Sequence, residues 1–433
     1  MHAQVSMLSL ALVLATAPSS RSDIVIRVAG RVSSTPTIAA RGAFVAVAFG
    51  AAGPGGETDV FAAISRDGGR TFGAPVRVNN VDGDARLNGE QPPAVGLVER
   101  QGREPAIVVV WTTKRAAGTT LLHTRSDDGG RTFAPATSVP GADAPGNRGW
   151  EAIAVAPTGR VDVAWLDHRE LAADTAMAAS HHDHSGGASR PDGVALAQKS
   201  KLFVASLDRS LAPRSVTGGV CYCCKTALAA GSDGAIYAAW RHVYPGNLRD
   251  MAFTVSHDTG RTFAPPIRVS EDGWVLEGCP DDGPAMTLEA GGRVHVAWPT
   301  IVADGKDAEP TIGLFYSMSL ADASAHAVRF SPRTRIPTEG LPHHPRIVVA
   351  PDGTLVAAWD ESQNGERHVA AARALVDSAG RPTFRRERLS ADIPSMYPAL
   401  ASASDAVVAA WTSGSSSSSQ ISVARIPGFG SQK

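Results

Sequence analysis

Seven segments of the chain repeat one pattern, in which a strand begins near Pro, a turn contains Gly, and a second strand ends in Ala-Trp or a close variant. The copies begin at Thr35, Gln91, Trp150, Cys224, Gly283, His344 and Tyr397. Self-similarity at a period of some tens of residues is typical of propellers and solenoids. The 43 Gly and 29 Pro residues, with few long helical patterns, favour many short strands joined by turns.

A second motif follows three of the copies and reads Ser-x-Asp-x-Gly-x-Thr-Phe. It spans Ser65 to Phe72, Ser126 to Phe133 and Ser256 to Phe263. In a hairpin turn, the Asp can accept hydrogen bonds from backbone N–H groups of its own turn, and Gly supplies a positive φ. The Asp residues of this motif are therefore predicted to be structural rather than catalytic; they are Asp67, Asp128 and Asp258.

These turns resemble the Asp-box, or BNR, repeat of the sialidase superfamily, and the resemblance covers nearly all of the chain after its N-terminus. It implies a β-propeller of four-stranded antiparallel blades. Seven copies then predict seven blades, with six as the alternative if one copy is an insertion. The last copy lacks an outer strand after Ser419 to Pro427, and Ser22 to Val28 is a strand without a blade. Pairing these two closes the ring and removes its open edges, so we expect an all-β propeller domain over residues 22–433.

The N-terminus has an apolar run from Met7 to Ala15, followed by Ala15-Thr16-Ala17. This pattern predicts a signal peptide over residues 1–17 and a secreted or periplasmic protein; a buried strand is the alternative. No later run reaches the ~18 apolar residues of a membrane span, so we expect no integral membrane segment. The net charge of −1 gives no electrostatic footprint for nucleic acid. A small molecule or a glycan is the expected partner.

A propeller divides its loops between two faces. The turns on one face are short and bland, whereas the loops between second and third strands and between successive blades are long and rich in polar and aromatic residues. We call the second set the loop face. It is predicted to hold the ligand-binding residues Trp150, Asp167, His168, Arg169, Trp274, His343, His344 and Asp360.

All four cysteines belong to the loop face. Cys221, Cys223 and Cys224 precede the inner strand of the fourth repeat, and Cys279 occupies the matching place in the fifth. Along an extended strand, Cys221 and Cys223 would share one side while Cys224 points away. Three interpretations stay open: a disulfide from Cys279 that joins two blades, a soft-metal site for copper or zinc, and a redox or nucleophilic cysteine.

The same region is similar to a group of bacterial exported sialidase-like proteins. The shared features are the Cys-x-Cys-Cys run and three short motifs, Arg249-Asp250, Asp272-Gly273-Trp274 and Gly278-Cys279-Pro280. The similarity covers about sixty residues. It implies a shared site without implying a reaction.

A working sialidase clamps the substrate carboxylate with three arginines, because guanidinium groups match its geometry, and uses a Tyr nucleophile with an Asp acid/base. The resemblance places the first arginine before the first inner strand, where this chain reads Val32-Ser33-Ser34-Thr35-Pro36. The candidate catalytic residues that remain are Arg241, Arg249, Asp250, Asp281 and Tyr397. Further charged candidates on the loop face are Arg346, Glu151, Asp282 and Glu361.

Together these features predict an exported sialidase-like propeller that binds a ligand, glycan or metal through the loop face, centred on the cysteine cluster. The alternative is an exo-acting glycoside hydrolase or lyase of sialidase-like type. His181, His182 and His184 lie in a Gly- and Ser-rich insertion, which favours a solvated loop over a metal site.

Overall fold

The computed structural model contains seven four-stranded antiparallel sheets. It describes residues 23–116, 118–171, 193–276, 280–302, 309–320, 328–376 and 382–428. The predicted signal peptide, the histidines at 181, 182 and 184, and Cys279 lie outside these residues. Each sheet is one blade, numbered below in chain order.

Blades 1 to 3 comprise β2 to β13, at Val32–Arg41, Phe44–Ala52, Thr58–Ser65, Val76–Arg77, Ala94–Val98, Ala106–Arg115, Gly118–Ser126, Thr137–Ser138, Arg148–Val155, Val161–Asp167, Lys201–Ser206 and Arg214–Thr217. Blades 4 and 5 comprise β14 to β21, at Ala227–Ala230, Ile236–Arg241, Met251–Ser256, Ile267–Arg268, Ala285–Leu288, Val294–Val302, Thr311–Met318 and Thr334–Ile336. Blade 6 comprises β22 to β25, at Leu341–Val349, Leu355–Gln363, Glu366–Val376 and Pro382–Arg388. Blade 7 comprises β26 to β28 and β1, at Ser395–Ser402, Ala406–Ser413, Gln420–Pro427 and Ile24–Ile26.

The innermost strands form a closed ring, because each contacts the innermost strand of the next blade and that of blade 7 contacts that of blade 1. The predicted closure is confirmed. Strand β1 pairs antiparallel with β28, with Ile24 opposite Val423 and Ile26 opposite Ile421. The seven-bladed prediction is also confirmed, and the six-bladed alternative is wrong. Strand β1 is therefore the outer strand of blade 7, and it covers the edge of β28.

The tryptophan that ends the second strand of six repeats fills the interface with the preceding blade. These residues, each 1% exposed or less, are Trp111, Trp165, Trp240, Trp298, Trp359 and Trp411. Phe49 takes the same place between blades 7 and 1. The repeated Ala-Trp is thus a packing signal, since a large ring from one sheet needs small residues on the facing sheet to approach it.

The Ser-x-Asp-x-Gly-x-Thr-Phe turns have the predicted geometry. The Asp67 carboxylate accepts bonds from the backbone N–H groups of Arg70 and Thr71, both at 2.9 Å, and from the Thr71 hydroxyl at 2.6 Å. Asp128 and Asp258 repeat these bonds. In Asp258 they lower the carboxyl pKa to about 2. These aspartates hold their own turns, as expected.

Four inner strands carry a β-bulge at their start, where the ladder register shifts. A residue with left-handed backbone occupies each bulge: Thr35, Trp150, His344 and Tyr397, with φ between 50° and 57°. The next residue is Pro in three of the four. Pro has no N–H to give to a ladder, so a bulge is where a strand accepts it without losing a bond.

Helix α1, Gly193–Lys199, leads into the second half of blade 3. In the described part of the chain no helix is long and apolar enough to cross a membrane.

Replacing the tryptophan between blades 6 and 7 tests the packing argument. We expect Trp411→Ala to lower the free energy of unfolding by about 3–5 kcal/mol, because it removes a large buried ring that the sheets cannot close over. The control Leu320→Ala, at a side chain 54% exposed, is expected to change it by about 0.5 kcal/mol or less. Urea denaturation of both variants checks this, and equal effects would contradict it.

Candidate functional site

The site begins in the residues just before the first regular ladder pair of the inner strands in blades 2, 4, 5, 6 and 7. Aligned on that pair, these positions hold most of the charged and aromatic side chains that meet at the loop-face end of the ring. We call this set the axial cluster; it consists of Glu90, Lys225, Asp282, His343, His344, Asp360, Arg367 and Tyr397. Its members come from blades 2, 4, 5, 6 and 7, or from the segments leading into them.

Glu90 lies at the centre of the axial cluster and is 5% exposed. Its Oε2 accepts the backbone N–H of Lys225 at 2.7 Å and that of Gly283 at 3.2 Å. Its Oε1 lies 3.3 Å from the Lys225 Nζ and 4.0 Å from the His344 Nε2. One carboxylate thus joins segments of blades 2, 4, 5 and 6.

Asp282 binds both histidines of blade 6. Its Oδ2 lies 2.8 Å from His343 Nδ1, and its Oδ1 accepts the backbone N–H of His344 at 2.9 Å. Burial opposes ionisation of Asp282 and protonation of His343. The hydrogen bond and charge between them prevail, lowering the pKa of Asp282 and raising that of His343. Both shifts favour the charged forms of the pair, carboxylate and imidazolium.

Asp360 orients His344 and Tyr397. Its Oδ1 lies 2.8 Å from His344 Nδ1 and accepts the backbone N–H of Tyr397 at 3.0 Å, while Arg367 pairs with its Oδ2 at 3.0 Å. The rings of His344 and Tyr397 meet edge to face at 4.7 Å. Burial raises the pKa of the Tyr397 hydroxyl. A carboxylate on Nδ1 leaves Nε2 as the imidazole atom available for proton transfer.

The charged groups of the axial cluster differ in exposure. The carboxylates of Glu90, Asp282 and Asp360 are 6% exposed or less, and Lys225 is 4% exposed. His343 and Arg367 are each 26% exposed at the side chain. These two side chains and the half-buried Tyr397 are therefore the parts of the axial cluster that a ligand can reach most easily.

The three described cysteines meet beside the axial cluster. Their Sγ atoms are 3.6 Å (Cys221 to Cys224), 3.7 Å (Cys221 to Cys223) and 4.0 Å (Cys223 to Cys224) apart. The predicted alternation of their side chains is wrong, because the chain turns at Tyr222 and Cys223 instead of extending. Cys221 and Cys224 are free thiols. A disulfide from Cys279 stays a prediction, since that residue lies outside the described range.

The cysteine cluster is closed to solvent. Cys221, Cys223 and Cys224 are 3% exposed or less, packed against Ala197 of α1 and Val243. A glycan cannot touch buried thiols. The prediction that a glycan site is centred on these cysteines therefore receives no support.

The two predicted catalytic arginines lie behind the cysteines. Arg249 donates from Nη1 to Cys221 Sγ at 3.1 Å and from Nε to the Leu276 carbonyl at 3.0 Å. Arg241 donates to the carbonyls of Asp282, Arg249 and Pro299 between 2.8 and 3.1 Å. Both are 1% exposed or less. Neither guanidinium can clamp a substrate carboxylate from this position.

The remaining candidates of blades 4 and 5 lie around these arginines. Trp274 packs on the Arg241 guanidinium at 4.8 Å and is 5% exposed. Asp250 is buried and pairs with Arg268 at 3.3 Å. Burial and the charge of Asp272 raise its pKa. Asp281 is exposed, with a left-handed φ of 49°. Trp274 and Asp250 are thus engaged with arginines of blade 4, whereas Tyr397 bonds to Asp360 in the axial cluster.

A separate charged group braces blade 3. The buried Asp167 carboxylate accepts from Arg148 Nε at 3.1 Å, Arg169 Nη2 at 2.6 Å and Trp165 Nε1 at 3.1 Å. Next to it, His168 packs on Trp150 with ring centroids 5.2 Å apart. The predicted ligand residues of this blade are thus largely engaged with one another, as a rim to the site.

Glu361 also has a structural environment. Its oxygens accept from Trp359 Nε1 at 2.8 Å and the Glu339 N–H at 3.1 Å, and lie 2.9 Å from His368 Nε2. Arg386 pairs with it as well. It fixes the outer strands of blade 6, away from the axial cluster.

Sequence reasoning missed Glu90, Lys225 and Arg367. The signal for the first two was present, because Glu90 and Lys225 stand immediately before the inner strands of their repeats, as His343 and Asp282 do. It also overlooked that Cys221 and Cys224 have Cys-x-x-Cys spacing. Arg367 carries no such signal: it lies on β24 and reaches the cluster only through the fold.

No protein-family model matches the chain, and a search of curated proteins finds no match. Solved structures do match. The polysaccharide lyase Uly1 is 10% identical, over 90% of this chain and 89% of its own, with a TM-score of 0.52. The GH93 α-L-arabinofuranosidase of Fusarium graminearum is 10% identical, over 94% and 97%, with a TM-score of 0.50. The NanB sialidase of Streptococcus pneumoniae is 10% identical, over 95% and 71%, with a TM-score of 0.47. At such identities the likeness establishes the propeller fold.

Glu151 provides a test of the electrostatics next to the site. It is 7% exposed, its Oε2 accepts from the Thr112 hydroxyl at 2.9 Å, and its Oε1 has no hydrogen-bond partner among the residues that the structure describes. Burial raises its pKa to about 7 from a usual 4.5. The folded protein thus keeps a proton that the unfolded chain releases between those values. Glu151 therefore favours unfolding progressively as the pH rises through this window.

We expect Glu151→Gln to remove this pH dependence. Relative to wild type, the variant should gain about 3 kcal/mol of unfolding free energy between pH 4 and pH 8, from the size of the shift. Urea denaturation of both proteins at the two pH values checks it. Parallel pH profiles would contradict the assignment.

Proposed function

We propose that the protein binds an acidic sugar unit at the axial cluster. The observation that carries this proposal is that His343 and Arg367 are the most exposed charged groups of the axial cluster, whereas its carboxylates are buried. Guanidinium and imidazolium groups are suited to a carboxylate. Tyr397 and Trp150, both half-buried beside this end of the ring, offer rings of the kind on which sugars pack.

The fold supports a sugar ligand. A polysaccharide lyase and an α-L-arabinofuranosidase share the propeller with TM-scores of 0.52 and 0.50, and their names place their activity on sugars. The turns that resemble the Asp-box agree with this choice, and the N-terminal pattern supports export to where glycans occur. The sialidase reaction itself is the less suited one, since the first arginine of its clamp has no counterpart at Val32 to Pro36.

A lyase reaction is the second candidate, favoured by the His344–Asp360 pair. Lyases cleave an acidic sugar chain by elimination: a base takes the proton next to the carboxylate, a C=C bond forms, and the glycosidic C–O bond breaks as its oxygen gains a proton. His344, oriented through Nδ1, and Tyr397, 4.7 Å away ring to ring, are the acid–base pair available. The carboxylates of the cluster are all engaged with cations, which disfavours the two-carboxylate mechanism of hydrolases.

Binding is tested with acidic oligosaccharides and the same compounds after reduction of their carboxyl groups. We expect calorimetry to detect binding of the acidic form only. Arg367→Gln should weaken binding at least tenfold, since it removes a charge-assisted contact. The matched control is Arg425→Gln, because Arg425 is 24% exposed and pairs with an aspartate on another part of the ring. Equal binding of both sugar forms would contradict the proposal.

Catalysis is tested by the ultraviolet absorbance of the unsaturated product. We expect Tyr397→Phe to lower the rate by about 10²–10⁴-fold while binding persists, the usual effect of removing a general acid or base. A wild-type protein that binds the acidic sugar and forms no product would exclude the lyase reaction and leave the binding proposal standing.

A further inference from the structure

The buried cysteines have a charge environment that a pair of neutral thiols does not explain. Arg249 and Arg241 are both 1% exposed or less. In the described part of the chain, the hydrogen-bond acceptors of these two guanidinium groups are four carbonyl groups and the sulfur of Cys221. Among the same described residues, the Nη2 of Arg249 has no hydrogen-bond partner. A buried cation needs a negative partner or its desolvation is uncompensated.

Sulfur is the available source of that negative charge. The Sγ of Cys221 lies 3.1 Å from Arg249 Nη1 and accepts a hydrogen bond from Cys224 at 3.6 Å. Two sulfurs 3.6 Å apart thus lie against a buried guanidinium in a pocket that is closed to solvent.

We propose that Cys221 and Cys224 bind a soft monovalent cation, Cu(I), as two thiolates, with Arg249 as the counter-charge. Thiolates are soft ligands that favour Cu(I), zinc and iron–sulfur clusters. Two thiolates and a monovalent ion carry a net charge of −1, which one guanidinium neutralises. Zn(II) instead requires four ligands in a structural site. The Cys223 Sγ lies 3.7 Å from Cys221 Sγ and 4.0 Å from Cys224 Sγ, so the ion would have a third sulfur nearby.

The other buried group with metal-ligand atoms lies in the axial cluster and suits Cu(I) less. Glu90, Asp282 and His344 have ligand atoms within 4.8 Å of one another. Their oxygens are already bonded to Lys225, His343 and backbone N–H groups, and oxygen donors are hard ligands. The structure therefore separates a sulfur site for a soft ion from an oxygen-rich site for the polar ligand.

The test uses the full chain, reduced and loaded with Cu(I) without oxygen, then desalted. We expect elemental analysis to find one copper per chain and X-ray absorption at the copper edge to find a sulfur-only first shell. Both readouts come from the wild-type protein, so they do not depend on a variant that folds. Failure to retain copper, or a first shell of nitrogen and oxygen, would overturn the proposal.

Variants locate the ion. Cys221→Ser and Cys224→Ser should each lower copper affinity at least tenfold in competition with a Cu(I) chelator, and Arg249→Met should lower it about 10–100-fold, the usual effect of losing an outer-shell partner. His344→Gln should retain wild-type affinity, because it alters the axial cluster alone. If the His344→Gln variant lost copper while both cysteine variants retained it, the ion would lie at the axial cluster and the proposal would be overturned. Thermal unfolding confirms that each variant compared is folded.

Discussion

The packing of one large aromatic ring between each pair of neighbouring sheets is the interaction on which this molecule depends. No blade has a core of its own: the apolar side chains of each sheet are buried by the sheets on both sides. Seven such interfaces bring the chain back to its start, where Phe49 replaces tryptophan and β1 completes blade 7. Ring closure and core formation are therefore one event, and an open ring would expose an apolar face on two blades.

This packing also positions the site. The bulges at Thr35, Trp150, His344 and Tyr397 hold non-glycine residues in left-handed backbone, each at a cost on the order of 1–3 kcal/mol. The strain is sustained because the flanking strands are fixed by the interfaces between blades. His344 and Tyr397 thereby leave the strand pattern and meet one another and Asp360. Local strain at the inner strands and the geometry of the axial cluster have the same origin.

Much of the fold could be predicted because its information is local and repeated. Each copy of the strand–turn–strand unit carries most of the same signals, a proline, a turn glycine and a large aromatic residue, so blade number and ring closure follow from the sequence. The site is different, because Glu90, Lys225 and His344 are separated by more than a hundred residues and meet only when the ring closes. The predicted alternation of the cysteine side chains was wrong for a local reason, because it assumed an extended strand where Tyr222 and Cys223 form a turn.

Two chemically distinct environments lie side by side at the loop-face end, and Arg241 keeps them apart. The Arg241 guanidinium donates its hydrogen bonds to carbonyl groups, including that of Asp282. It therefore fixes the backbone of the axial cluster without neutralising the carboxylates of that cluster. The carboxylates remain paired with His343, Lys225 and Arg367, while the charge of Arg249 is directed to Cys221. The carboxylates thus have their own cationic partners, and the sulfur of Cys221 has a different one, Arg249. A hard ligand and a soft ion can therefore be held in one protein without competing for the same groups.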